Sequence, residues 1–269
     1  MAVGLNSTSG FGSTSIFNLS RSESAFKKAF AQLSSGKRIN SAADDAAGLA
    51  IAAGLASSIT QISQSSRNVS DAASALSIAD GALGQVSEIS TRLQELATAS
   101  ANGTLSDQQR GALQAEYSAL ASEVQRIGET TQFNGKQLLD GSSMSIQIGG
   151  DALQVGGVNL QSMASSLTSQ DISTQAGAQA AMSAIDQFSK DLSTQRGGSI
   201  DAAMSRLDSI QNNLSTQRLA QQDSLSRIQD ADIGATTLEV NRNKVLQQYQ
   251  VSLIKQASFL QRTTLALLG

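Results

Sequence analysis

Not one proline occurs in the 269 residues of this chain, and that absence constrains the fold more than any motif does. Average usage of roughly 5% would place about 13 prolines in a chain of this length. Proline removes a backbone donor and collides with the preceding helical turn, so a chain without it can run in long, uninterrupted helices. The composition agrees: 40% of residues are apolar but only 3% aromatic, with Ala, Ser and Gln filling much of the rest.

Apolar spacing divides the chain. Ile16, Leu19, Phe26, Phe30 and Leu33 recur in three- and four-residue steps, with Glu23 at the missing seam position. This is a coiled-coil stripe too short to be stable alone in water. It fits either a peripheral helix on a globular core or a helix that folds only when neighbours cover it. The stripe breaks at Ser34-Ser35-Gly36, a short basic linker (Lys37, Arg38) follows, and a second helix restarts near Ser41 or Asp44, where S-x-x-D offers a capping box. From about Asp44 to Ala99 the rhythm passes through Leu55, Ile59, Ile62, Val69, Ala73, Leu76 and Leu83, then Val86, Ile89, Leu93 and Leu96 after a small slip. Roughly 55 residues at 1.5 Å per residue make a helix of about 80 Å, the length of a bundle or fibre element.

Asn102-Gly103 supplies a turn. Ser106 with Gln109 forms a second capping box, and Leu113, Tyr117, Leu120, Val124 and Ile127 mark a shorter helix that folds back, with Gly128 as its stop. Gln132-Phe133-Asn134-Gly135 is a turn, and Ile146, Ile148, Leu153 and Val155 then alternate around Gly149-Gly150 as a small β-hairpin. Residues 156–175 read as a connector. Helix returns near Ala176 with Ile185, Phe188 and Leu192, is interrupted at Gly197-Gly198, and continues through Ile200, Met204, Leu207, Ile210, Leu214, Leu225 and Ile228, with Arg218 and Gln221 between. Asp230-Ala231-Asp232 breaks the pattern, and a last helix carries Leu238, Val245, Leu246, Tyr249, Leu253, Leu260 and Leu267. The order is nearly palindromic, so the two ends can lie side by side and so can the two long helices. The expected fold class is mainly α: a long antiparallel helical bundle or coiled coil with a small β-hairpin at its tip.

Chemistry is sparse. Without His or Cys, a Ser-His-Asp triad, a thiolate nucleophile and the usual zinc sets are excluded. Gly36-Lys37 is no phosphate loop, because Arg38 replaces Ser/Thr and Ala31 stands where the first Gly belongs. The run Asp230 to Gly234 begins like a calcium loop, but its Gly comes one position early and Asn241 replaces the bidentate Glu. Asp44 and Asp45 diverge at a helix start, where capping suffices. No catalytic residue, cofactor or metal is expected. The net charge is −3, and residues 1–40 carry Arg21, Lys27, Lys28, Lys37 and Arg38 against Glu23. Dispersed charges without interleaved aromatics make a solvated face, not a nucleic-acid site. Residues 1–15 lack an apolar core, so no cleavable signal peptide is expected. Nor is a membrane span, for want of 18 consecutive apolar residues.

Several blocks carry a resemblance. LSSGKRINSAADDAAGLAIA (Leu33–Ala52) is similar to the N-terminal block of bacterial flagellins. SRNVSDAASALSIADGAL (Ser66–Leu83), LQELATASANGT (Leu93–Thr104) and QAEYSALASEVQRIGETTQFNGKQLLDG (Gln114–Gly141) follow in the family's order. So do STQRGGSIDAAMSRLDSIQNNLSTQ (Ser193–Gln217) and SRIQDADIGATTLEVNRNKVLQQ (Ser226–Gln248). The chain resembles a minimal flagellin whose variable middle is reduced to about 142–175. The resemblance implies an inner coiled-coil domain formed by residues 1–43 and 229–269, around a core domain at 44–228 with its hairpin at about 144–158.

It further implies a homopolymeric filament subunit on the cell exterior, serving motility, exported unfolded by the flagellar type III apparatus and assembled beneath a cap. Its assembly seam would comprise Ile16, Leu19, Phe26, Phe30 and Leu33 against Val245, Leu246, Tyr249, Leu253, Leu260 and Leu267. An export chaperone would hold Leu238–Leu268, and filament-cap and hook-junction proteins would be partners. The family's patch for a vertebrate toll-like receptor maps to Arg92, Leu96 and Glu116, though Thr91 and Gln94 depart from the usual neighbours. The alternatives are a hook–filament junction protein and, from another class, a secreted coiled-coil translocator.

Overall fold

The computed structural model describes residues 3–268, with side chains described over 14–259 and at Arg262 and Thr263. Helix α1 spans Val3–Ser35 and ends where Gly36 adopts φ +69°, the left-handed cap that glycine takes without a Cβ penalty. Helix α2 spans Ala46–Ser100. It starts later than the expected capping box, because Asp44 closes a turn by accepting from the N–H groups of Asn40 and Ser41. Asp45 is the cap instead, its Oδ1 accepting from Gly48 N at 2.8 Å. Helix α3 spans Asp107–Thr130 under the expected reciprocal capping box of Ser106 and Gln109. It runs past Gly128, which is buried beside Leu160.

Asn134 (φ +49°) and Gly135 (φ +78°) turn the chain between β1 (Gln132–Phe133) and β2 (Lys136–Gln137). The main hairpin pairs β3 (Met144–Ile148) with β4 (Asp151–Val155), antiparallel, with Ile146 opposite Leu153. The stretch expected to be a bare connector instead holds helix α4, Leu160–Thr168, capped by Asn159 and burying Leu160, Ala164 and Leu167. Helix α5 (Gln175–Gln195), a π-turn (Arg196–Asp201) and helix α6 (Ala202–Gln229) follow, and α7 is Ile233–Leu268.

The π-turn replaces the expected interruption. Ala178, Ala181, Ile185, Phe188 and Leu192 bury one stripe of α5, and the stripe resumes at Ile200, Ala203, Leu207 and Leu214. Leu192 to Ile200 is one residue longer than a heptad, and a single π-turn absorbs that residue without breaking the helix. Arg196 is anchored there by a fork to Asp80 of α2, at 2.6 and 3.1 Å.

Backbone packing gives two units, residues 1–59 with 220–269, and residues 60–219. The division falls within α2 and α6 and not at residues 43 and 229, since the two hinges bond to each other inside the first unit. In the second unit, three contacts run in opposite directions along α2 and α5–α6: Ser90 with Ser189, Asp80 with Arg196, and Ser66 with Gln211. The long helices are therefore antiparallel. Their core joins Leu76, Leu83, Val86 and Leu93 to Tyr117 and Val124 of α3, Leu167 of α4, Phe188 of α5 and Leu207 of α6.

By length and composition alone, helix α2 is long and apolar enough to cross a membrane, a property that core helices of soluble proteins share. No continuous apolar run is needed for that, because Ala, Gly and Ser dilute the charge-free stretch from Ala46 to Ser66 without making it polar.

Candidate assembly surface

The first unit is held at its hinges. Ala231 N–H donates to Gly36 O at 2.9 Å and Arg38 N–H to Gln229 O at 2.6 Å, and the Arg38 guanidinium donates to Ile228 O at 2.7 Å. Lys37 and Asp230 thus form an antiparallel bridge between the two pattern breaks. The Arg38 charge lies against the carbonyl end of α6, where a cation is favoured. Lys28 reaches from α1 to Asp44 at 2.9 Å. That ammonium, with the N–H groups of Asn40 and Ser41, pulls the Asp44 carboxyl down to about 2. A groove of about 560 Å³ runs beside the clasp, floored by Ala25, Ala29, Ala231 and Ala235.

From the hinges, α1 and α7 pair antiparallel, for the bonds move from Gly36–Ala231 to Ser22–Gln250 as the chain recedes along both helices. On α1 the covered positions are Ser15, Leu19, Ser22, Phe26, Ala29 and Leu33, with Gln32 beside them; on α7 they include Thr236, Val240, Asn243, Gln247, Gln250, Ile254 and Ala257, with Leu246 beside them. Both series keep the heptad rhythm. Leu19, Phe26, Leu33 and Leu246 therefore lie towards the pair. Ile16, Phe30, Val245, Tyr249 and Leu253 do not; all five are exposed. The side chains of Leu260 and Leu267 lie outside the described residues. Glu23 does not occupy a seam position either: it pairs outward with Lys27 at 2.6 Å, which lowers its pKa, and the buried Ser22 takes the seam. On α7 the phase is one residue, about 100°, from the one that the largest side chains suggest, whereas on α1 Leu19, Phe26 and Leu33 lie where expected and only Ile16 and Phe30 do not. Between Leu19, Phe26, Leu33, Val240 and Ile254 the inward face also uses small and amide side chains that no hydrophobic count would select.

As a result, apolar surface is left bare. Among the described residues, every large exposed hydrophobic except Ile78 and Leu219 belongs to the first unit, and Leu238 (72%) and Phe17 (69%) are the most open. In the second unit, Arg92 donates to Glu116 at 2.8 Å and to Glu95 at 2.9 Å on the surface, and both partners raise its pKa, Glu116 the more. Leu96, expected beside them in an exposed patch, is instead packed into the core at 3% exposure, because it continues the buried stripe of α2. Among the described residues no cluster of acidic, His or Cys side chains is placed to hold a metal.

A helical chain with a well-filled core at one unit and a polar-seamed, apolar-backed helix pair at the other defines a class, the subunit of a helical assembly. The family model for the bacterial flagellin N-terminal helical region matches residues 10–144, and that for the C-terminal helical region matches 182–268. A flagellin of Halalkalibacterium halodurans is 36% identical over 249 residues, covering 90% of this chain and 91% of the relative. One of Listeria monocytogenes is 33% identical over 261 residues, covering 89% and 91%. Among solved structures, Bacillus cereus flagellin is 30% identical with a TM-score of 0.51, covering 55% of this chain and 88% of its own. A flagellar hook-associated protein of Vibrio parahaemolyticus has the same TM-score at 17% identity, a likeness of fold alone. The chain belongs to the bacterial flagellin family. It is a structural subunit of the flagellar filament, a homopolymer exposed outside the cell, and not an enzyme.

Proposed function

We propose that the bare apolar side chains of the first unit are the surface by which copies of this chain dock in the filament. Ile16, Phe17 and Phe30 of α1, Ile51 of α2, and Leu238, Val245, Tyr249, Leu253 and Phe259 of α7 supply it. The observation that carries this reading is the outer row: small and amide residues take much of the inner seam, and large apolar side chains such as Phe17, Phe30, Leu238, Val245, Tyr249 and Phe259 are left exposed on the outside. Exposed patches of this kind mark interaction sites, and in a homopolymer the partner is another copy. The sparsely buried start of α2 belongs to the same surface, covered by neighbouring copies and not by lipid.

On this reading the segment Leu238–Leu268 needs cover before docking. A dedicated export chaperone supplies it while the chain passes, unfolded, to the tip. Filament-cap and hook-junction proteins meet the same helix pair at the ends of the polymer. An innate receptor would find Arg92 and Glu116 on the core surface but not Leu96. The test is seeded polymerisation of a chain lacking Asn243–Gly269. It should remain a helical monomer that adds to no seed; normal filaments from it, seen by electron microscopy, would refute the proposal.

A further inference from the structure

The inward face of α7 sets Val240 and Ile254 among Thr236, Asn243, Gln247, Gln250 and Ala257, and is the less apolar of its two faces. Leu238, Val245 and Phe259 repeat at heptad spacing, with Tyr249 beside them, two residues from the seam positions Thr236, Asn243 and Ala257. Two residues are about 200° on a helix, so the apolar row lies almost opposite α1. Burial of apolar surface alone would turn α7 about its axis until that row met Leu19, Phe26 and Leu33.

Against that rotation stands one polar cluster. Ser22 is among the few buried polar residues. Gln247 Nε2 donates to Ser22 O at 3.3 Å, and Gln250 Nε2 donates to Ser22 Oγ at 3.2 Å. The two amides sit on successive seam positions of α7 and converge on one residue of α1, which fixes an angle as well as a contact. Gln250 Oε1 is buried and has no partner, so the setting is kept against a local cost. A polar residue at a seam position characteristically specifies one arrangement at the expense of stability.

We propose that Ser22, Gln247 and Gln250 are positioning residues that set the rotation of α7 against α1 and so hold the apolar row outward for neighbouring copies. Without them the pair turns inward on itself, and the subunit covers its own docking surface. The polymerisation arm of this inference rests on the proposed docking surface; the rotational arm does not.

The full chain has no cysteine, so Val245→Cys reports the outward face through its reactivity with a maleimide. This reporter is combined with Gln247→Ala plus Gln250→Ala, and separately with Ser22→Ala, and melting of the α3 region controls for folding. Rotation predicts that the thiol loses reactivity in both backgrounds, while the melting midpoint holds or rises and more subunit is needed for seeded growth. An unchanged thiol overturns the inference, whether or not the midpoint falls, because the cluster would then be an ordinary hydrogen-bonded contact. Lost reactivity with unchanged seeded growth keeps the rotation and instead removes Val245 from the docking surface.

Discussion

Replacing Leu238 by Ala separates stability that belongs to one copy from stability that belongs to the polymer. Leu238 is 72% exposed within the chain, so the free subunit should melt within about 0.5 kcal/mol of the parent, as surface substitutions do. Full burial of a leucine makes its loss cost about 2–5 kcal/mol. If docking covers the roughly seven-tenths still open, the cost in the polymer is about 1.5–3.5 kcal/mol per subunit. That range corresponds to about a 10- to 300-fold rise in the critical concentration for seeded growth, read by sedimenting filaments and assaying the supernatant. Leu83→Ala is the opposite control. Leu83 is fully buried in the second unit, so about 2–5 kcal/mol should be lost from the free chain. A Leu238→Ala chain that grows at the parent's critical concentration would show that this row faces solvent in the filament.

Acid should loosen the hinge clasp. The Asp44 carboxyl is held at about 2, below its unfolded value, so its contribution is complete above about pH 4 and is lost as pH falls towards 2. Asp44→Asn should flatten that dependence in the amide signals of Arg38 and Ala231. Deleting Gly197 should convert the π-turn to regular helix and leave the α5 and α6 stripes in register, with little change in melting. Deleting Ser209 should rotate Leu214 out of the core by about 100°, costing about 2–5 kcal/mol or more; equal melting of the two deletions would sink the one-residue account. Gly36→Ala meets no atom within 4 Å, so only the left-handed backbone is penalised, by about 1–2 kcal/mol, measured by chemical unfolding.

Where a local rule decided the structure, the sequence could be read. The capping box at Ser106, the turn at Asn134-Gly135, the alternation in β3 and β4, and the stripe from Leu76 to Leu93 each depend on neighbours in sequence. Helix α4 escaped because three buried positions, Leu160, Ala164 and Leu167, lie among serines, though Asn159 ahead of them was a usable start signal. Asp45, and not Ser41, is the cap because Asp44 is held by the N–H groups of Asn40 and Ser41 and by Lys28, which is distant in sequence. The π-turn was readable in principle, since Leu192 to Ile200 breaks the count by one; glycines at 197 and 198 suggested a break, yet a π-turn carries the skip more cheaply than a loop.

The rotation of α7 departs from its largest side chains for a different reason, and the reason bears on function. Assigning a seam to the largest apolar side chains assumes that a helix has one partner. In α1 and α7 that assumption fails: Ser22, Ala29, Asn243, Gln247 and Gln250 meet within the chain, whereas Ile16, Phe30, Val245 and Tyr249 do not. Small and amide residues dilute the apolar burial that Leu19, Phe26, Leu33, Val240 and Ile254 supply, so the pair has further stability to gain from whatever covers the outer rows. A helix pair that depends on its surroundings in this way is strongest in the polymer. Filling the inner seam with leucine should therefore strengthen the free subunit while leaving the polymer contacts, which use the other face, unimproved.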